Sequence, residues 1–516
     1  MDSLMLLLVL LLPLGAGVAI PLLNPQLARP AALAVAAAQV ALCLVMALGG
    51  TDLSAYAITQ SWLPQLGLAL DLGLDGVSLP LVLLASALTA MAVLATPASQ
   101  ERPRFYFSLM LATNLGLVGA FMARNALLFV FAYELILIPT TLLVASFGGA
   151  KRAGAAVRFL TYGAASGLTL LAAVLAFVWL QQGAGSIAGA GAIAGSGTIA
   201  GSGQWSLSFA YADLAQHALS PENQRWVMAL VLLAFGLKLP VVPFHGWQPA
   251  TYSQAPTPVA MLLSGAVSKL GAYGLLRFGL ELLPDTWAAW SPWIAAVGAI
   301  SAIYGALNAI AQLDMRRLVA YSSLGHMGML VLALAAATPL SLQGVVAQML
   351  AHGLIIALLF CVVGMIEAKT GTSSIAELSG LLNPQRGLPF TLGLLLLGLM
   401  AAAGVPGLAG FVAELLVFEG SWTAFPLPTL VCLVASGLTA VYAVRLFNRV
   451  GFGRLDNARA DWKSTTWPER LPAMVLAAAV LIAGIWPQAL TGLSESTTAG
   501  LAIRTALATA TAPLIS

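Results

Sequence analysis

Hydrophobic runs of about twenty residues recur almost from end to end of this chain, parted by short polar segments. A run of that length lets an α-helix cross the ~30 Å hydrocarbon core of a bilayer. The first third predicts spans over Leu4–Leu23, Ala31–Gly49, Gly76–Thr96, Phe105–Ala123, Asn125–Phe147 and Val157–Gln181. The middle predicts Trp226–Phe244, Pro258–Leu280, Pro292–Ala311 and Leu318–Ala337. The last third adds Gln343–Ala368, Leu388–Glu419, Leu427–Phe447 and Leu471–Leu490, about fourteen in all. Thr498–Ile515 is too weakly apolar to count as another. Backbone facing lipid must be helical, because an unpartnered amide there costs several kcal/mol.

Two of these runs are interrupted. The seventh breaks at Pro240 and Pro243, and the twelfth around Gly404, Pro406, Gly407 and Gly410. Interrupted helices at corresponding places in two halves of a chain point to a transport site.

Composition agrees with the pattern. Of 516 residues, 60% are hydrophobic and 8% charged, with mean hydropathy +0.94. Soluble proteins carry about 25% charged residues, so a water-soluble enzyme is excluded. Cys43, Cys361 and Cys432 are scattered through apolar runs, without the spacing of iron–sulfur, haem or zinc sites. No dinucleotide or Walker motif appears, and a net charge of +3 is too small to imply nucleic acid. The N-terminus, MDSLMLLLVLL, lacks a basic leader and reads as a retained first span.

Charge distribution gives the orientation. With loops numbered by the span before them, the odd loops hold sixteen basic residues, from Arg29 to Arg470. The even loops hold three, Arg124, Arg225 and Arg277, and Arg504 lies in the tail. This asymmetry places the odd loops in the cytoplasm and both termini outside. Of the 22 basic residues, Lys238 and Lys269 remain, and both fall within spans. Gly183–Gly203 reads as a flexible linker, with a docking loop as the alternative. Asp213, His217 and Glu222 after it read as solvated loop residues rather than a metal site.

The deep ionisable set is short: Glu134, Lys238, Lys269, His352 and Glu414, with His245 and His326 nearer helix ends. An ionisable group at bilayer depth is costly, so its default reading is functional. Burial disfavours charge on both acids and bases, while an opposite neighbour restores it. A Glu–Lys pair of changing separation therefore releases and rebinds a proton, and histidine suits the relay between such groups. Ser264, Ser268, Tyr273, Tyr321, Ser322 and Ser323 are candidates to hold a proton wire. The competing reading is a static buried ion pair between Glu134 and Lys238, with the histidines as plain hydrogen-bonding residues.

Six segments carry a resemblance. AYELILIPTTLLVASFGG (Ala132–Gly149), LKLPVVPFHGWQP (Leu237–Pro249) and APTPVAMLLSGAVSKLGAYGLLR (Ala255–Arg277) resemble the proton-translocating antiporter-like subunits of respiratory complex I. AYSSLGHMG (Ala320–Gly328), HGLIIALLF (His352–Phe360) and GVPGLAGFVAELLVF (Gly404–Phe418) continue it. The glutamate at position 414, where sister subunits carry lysine, resembles subunit 4 in the form found in cyanobacteria and chloroplasts. The resemblance implies an all-α fold of about fourteen transmembrane helices with two inverted five-helix repeats and broken helices seven and twelve. The implied division is 1–104 for helices one to three, 105–280 and 281–450 for the two repeats, and 451–516 for the last helix and tail.

It also implies roles. Glu134 and Lys238 would form a gating ion pair, Lys269 the central relay, His326 and His352 the conductors, and Glu414 the donor to the outside. No cofactor is implied in this chain; NAD(P)H or ferredoxin, iron–sulfur clusters and a quinone, plastoquinone in a thylakoid setting, would sit on other subunits. Partners would be other membrane subunits, including neighbouring antiporter-like ones, within a cyanobacterial thylakoid or a bacterial inner membrane. One departure stands out. The family reads W-L-P-D-A-H where this chain has Trp247-Gln248-Pro249-Ala250-Thr251-Tyr252. That wording resembles variants devoted to carbon dioxide uptake and suggests a carbon dioxide-hydrating partner. The alternatives are an Mrp-type sodium/proton antiporter, a membrane-hydrogenase subunit, or a scaffold that pumps little.

Overall fold

The computed structural model of the protein describes residues 2–50, 53–63, 68–188, 208–216, 219–455 and 462–511. Most of the glycine-rich insert, and His217, lie outside the described residues. Among the described residues, twelve helices are long and apolar enough to cross a membrane. They supply spans one to six (Asp2–Leu22, Pro25–Leu48, Ser78–Ala95, Pro103–Met122, Ala126–Phe147 and Arg152–Gln181) and eight to eleven (Thr257–Glu281, Pro284–Ala311, Met315–Ala336 and Pro339–Thr370). Pro426–Gly451 and Trp467–Ile485 are the thirteenth and fourteenth. The seventh and twelfth are each built of two shorter helices, Pro221–Lys238 with Trp247–Gln254, and Pro389–Ala402 with Ala409–Trp422. The all-α, fourteen-span reading therefore holds.

Local chemistry sets the helix starts. Proline stands in the first turn of many helices, where its missing N–H would have had no partner. Side-chain caps precede others: Asn125 accepts from the N–H groups of Leu127 and Leu128, and Asp314 from that of Arg317. Thr338 and Ser341 form a reciprocal capping box at the start of the eleventh span.

Burial ranks the spans. The eighth is 100% buried over its apolar window and the tenth 94%, whereas the first is 22% buried. The eighth span, which carries Lys269, is thus the axis around which the others pack. The ninth and tenth meet backbone to backbone, Gly298 against Gly328 and Gly305 against Gly325. Close approach of this kind is what small residues permit where lipid gives no hydrophobic drive.

Three features depart from the expected elements. Ala57–Leu63 and Leu68–Gly73 form an antiparallel hairpin, too short for the twenty-residue rule, and its Leu72 bridges to Ala123 at the end of the fourth span. Glu495–Thr511 is a further helix lying along the ninth and eleventh spans, and in keeping with its weak apolarity it is not one of the twelve membrane-length apolar helices. Arg277, assigned above to an outer loop, is buried within the eighth span. Its guanidinium pairs with Asp75 and, at 3.1 Å, with Glu281. An arginine can enter that far because both carboxylates follow it.

Candidate functional site

The breaks come first, because they aim the charges. In the seventh span the helix closes at Lys238, and neither Pro240 nor Pro243 can donate a backbone bond. The freed groups are met by protein: Trp247 Nε1 donates to Leu237 O at 2.8 Å, and Val242 N donates to Ser301 Oγ at 3.0 Å. The chain then resumes as Trp247–Gln254, a buried helix where the sequence pattern suggests a loop. In the twelfth span Gly404 and Gly407 take positive φ, +67° and +90°. The fifth span also bends: its helix stops at Leu135, one residue past Glu134, where Pro139 withholds the N–H that would meet the Leu135 carbonyl.

Four of the six candidate residues form one buried file. Lys269 is fully buried; its Nζ lies 2.7 Å from His352 Nδ1 and 2.7 Å from the carbonyl of Ser264, with Ser268 Oγ at 3.3 Å. The His352 and His326 rings are 5.5 Å apart between centroids. His326 Nδ1 stands 3.6 Å from Glu414 Oε1, and Glu414 Oε2 accepts from Ser436 Oγ at 2.6 Å. The file thus crosses spans eight, eleven, ten, twelve and thirteen.

Its unsatisfied atoms are informative. His352 Nε2, both ring nitrogens of His326 and Glu414 Oε1 are buried without a hydrogen-bond partner among the described residues. Buried polar groups are nearly always paired, and exceptions call for an explanation. Two of them, His326 Nδ1 and Glu414 Oε1, face each other at 3.6 Å.

Glu134 and Lys238 are placed differently. They interact through space but make no ion pair. The Lys238 ammonium sits 4.5 Å from the centroid of the Tyr133 ring and 5.8 Å from that of Phe159. A desolvated cation gains on the order of 2 kcal/mol from such a ring. Glu134 turns instead to the sixth span, where only the absence of a side chain at Gly167 leaves room for its carboxylate. His245 lies apart from the file, with Nε2 3.2 Å from Tyr304 Oη.

The model of the NADH:quinone oxidoreductase/Mrp antiporter transmembrane family matches residues 123–439. The chain belongs to this family. It is similar to the NAD(P)H-quinone oxidoreductase chain 4 of Synechococcus sp. (strain WH7803), 37% identical over 76% of this chain and 68% of the relative. A chain of respiratory complex I from Thermus thermophilus superposes with TM-score 0.84 and 28% identity, over 97% of this chain and 99% of that one. A chain of the Mrp complex from Dietzia sp. DQ12-45-1b shares the fold, with TM-score 0.82 and 22% identity over 99% of each chain. This protein is accordingly an antiporter-like membrane subunit of the NAD(P)H-quinone oxidoreductase family, of the chain 4 type.

Some neighbours of the candidate residues escape sequence reasoning. Ser436 is one of many small polar residues in apolar helices, and nothing in its spacing marks it as the partner of Glu414. Gly167 is legible only once the fifth and sixth spans are docked. Among the described residues no cluster of metal-ligating side chains occurs.

Proposed function

We propose that this antiporter-like subunit translocates protons, driven by electron transfer elsewhere in an NAD(P)H–quinone oxidoreductase. One observation carries the reading: the contact of Lys269 with His352, continued through His326 to Glu414. Lys269 is the central relay. His352 and His326 pass the proton on, received at the unpartnered nitrogens, and Glu414 gives it up on the outer side. Lys238 and Glu134 are the gate. In the present arrangement their charges are apart, the cation resting on Tyr133; closing the pair favours the charged lysine, and opening it releases the proton.

Odd loops face the cytoplasm, and both termini the outside. NAD(P)H or ferredoxin, iron–sulfur clusters and quinone belong to other subunits, with plastoquinone in a thylakoid complex. The departure at Gln248–Tyr252 supports a carbon dioxide-uptake form with a carbon dioxide-hydrating partner. The test is proton uptake by vesicles carrying the assembled complex. Lys238→Ala and Glu414→Gln each remove this subunit's share of the proton-to-electron ratio while electron transfer continues. Full proton transport in either variant sinks the proposal and leaves a docking scaffold.

A further inference from the structure

The short helix Trp247–Gln254 stands between the two lysines and is tied down on every side. Trp247 Nε1 donates at 2.8 Å to Leu237 O, the carbonyl next to Lys238. Gln254 receives Gly149 N on its carbonyl at 2.8 Å and Lys151 N on its side chain at 2.9 Å, both from the loop that ends the fifth span. Gln248 Nε2 donates to Ser323 Oγ of the tenth span at 3.2 Å. Thr251 Oγ1 donates to Ala155 O of the sixth span at 3.4 Å, and the Tyr252 hydroxyl donates to Leu263 O at 3.1 Å.

Leu263 opens a π-helical turn, Leu263–Val267, in the middle of the eighth span. Its carbonyl also accepts Ser268 N at 3.1 Å, the bond that closes that turn. The next carbonyl, of Ser264, accepts Lys269 Nζ at 2.7 Å and Ser268 Oγ at 2.8 Å. Tyr252 is fully buried, its ring edge-on to Trp247 and Phe360, so its hydroxyl is aimed by packing. Single π-turns inside α-helices recur at functional sites and differ from the α register by one residue.

We propose that Tyr252 is a positioning residue: it holds the π-turn that seats Lys269 on His352, and through the helix Trp247–Gln254 it links that seat to the Lys238 segment. The inference rests on the proton-translocating reading. A shift of Lys238 moves the Leu237 carbonyl, the two-turn helix follows Trp247, and Tyr252 lets go of Leu263. Relaxation of the turn toward α register rotates Lys269 by about 100°, which takes its ammonium off His352. This gives the coupling a physical two-state element rather than mere proximity.

Tyr252→Phe keeps the ring and deletes the hydroxyl. In vesicles holding the assembled complex, protons taken up per electron are measured beside the rate of NAD(P)H oxidation, with Lys269→Met as reference. Loss of one neutral hydrogen bond corresponds to about a fivefold change in an equilibrium. The expected result is retained oxidation with this subunit's share of the ratio down about fivefold and a shifted pH profile of proton uptake, because Lys269 no longer rests on His352. A ratio unchanged in Tyr252→Phe while Lys269→Met lowers it overturns the inference, as does a loss that leaves the pH profile where it was. An unchanged ratio in Lys269→Met overturns the translocation reading itself, and this inference with it.

Discussion

Glu414 depends on a residue that has no side chain. Gly404 takes φ +67°, and a Cβ there would stand 2.7 Å from Glu414 Oε2. Gly404→Ala therefore adds a left-handed penalty of about 1–2 kcal/mol and pushes the carboxylate off Ser436. We expect a lower melting temperature for the purified protein together with reduced proton uptake; an unchanged melt contradicts the assignment. At the Arg277 end of the eighth span the chemistry is simpler. Burial raises the Asp75 carboxyl, but the Arg277 guanidinium and the N–H groups of Ser78 and Val77 outweigh it and hold the group below the usual carboxylate range. A lowered value means that the fold favours the charged form. Its stabilisation is complete above the ordinary aspartate value of about 3.9 and is lost as pH falls through the lowered one. Asp75→Asn should melt earlier than the unsubstituted protein at neutral pH, and the gap should close below about pH 4. Residue identities were legible where charge sits in an apolar run, as with Lys269 and Glu414. Partnership was not, since Tyr133 beneath Lys238 and Ser436 beside Glu414 are ordinary residues until the helices are docked.

At the scale of elements, His326 shows how packing aims chemistry. It lies between Gly325 and Gly328, which share the face turned to the ninth span, so His326 points away from that contact. A Cβ at Gly328 would run into the backbone of Ala302 and Gly298. Gly328→Leu should destabilise by about 1–3 kcal/mol or more through overpacking and shift His326 from Glu414. Gly393→Leu, where nothing lies within 4 Å, is the control and should melt like the unsubstituted protein. The same scale explains what the hydrophobic pattern missed. A twenty-residue window finds spans and, through proline and glycine, their breaks. It has no means of seeing the π-turns, because Leu263–Val267 and Leu275–Glu281 differ from α-helix only in hydrogen-bond register. Each lies at a buried cation, Lys269 just past the first and Arg277 inside the second. The helix Trp247–Gln254 escaped for another reason: at eight residues with polar side chains it resembles a loop, yet the breaks around it bury it.

For the whole molecule, the question is which ion the file suits. Its fold is shared with an Mrp complex chain at 22% identity, which speaks to architecture alone. The side chains decide more. From Lys269 through His352 to His326 the titratable groups are nitrogens, and one carboxylate, Glu414, ends the series; the oxygens beside them, Ser264 O, Ser268 Oγ and Ser436 Oγ, are engaged by Lys269 and Glu414 themselves. Hard cations take oxygen ligands from carboxylates, carbonyls and water. A sodium ion entering this file would meet a lysine ammonium at full burial and imidazole nitrogens beyond it, with a single carboxylate at the far end. A proton needs none of that coordination, since each nitrogen or oxygen receives it singly. Proton uptake by vesicles carrying the assembled complex should therefore run at the same rate with sodium replaced by potassium, and sodium should not accumulate against its gradient. A rate that rises with sodium concentration would place this chain with the sodium-coupled antiporters, and would require oxygen ligands along a path other than the Lys269–Glu414 file.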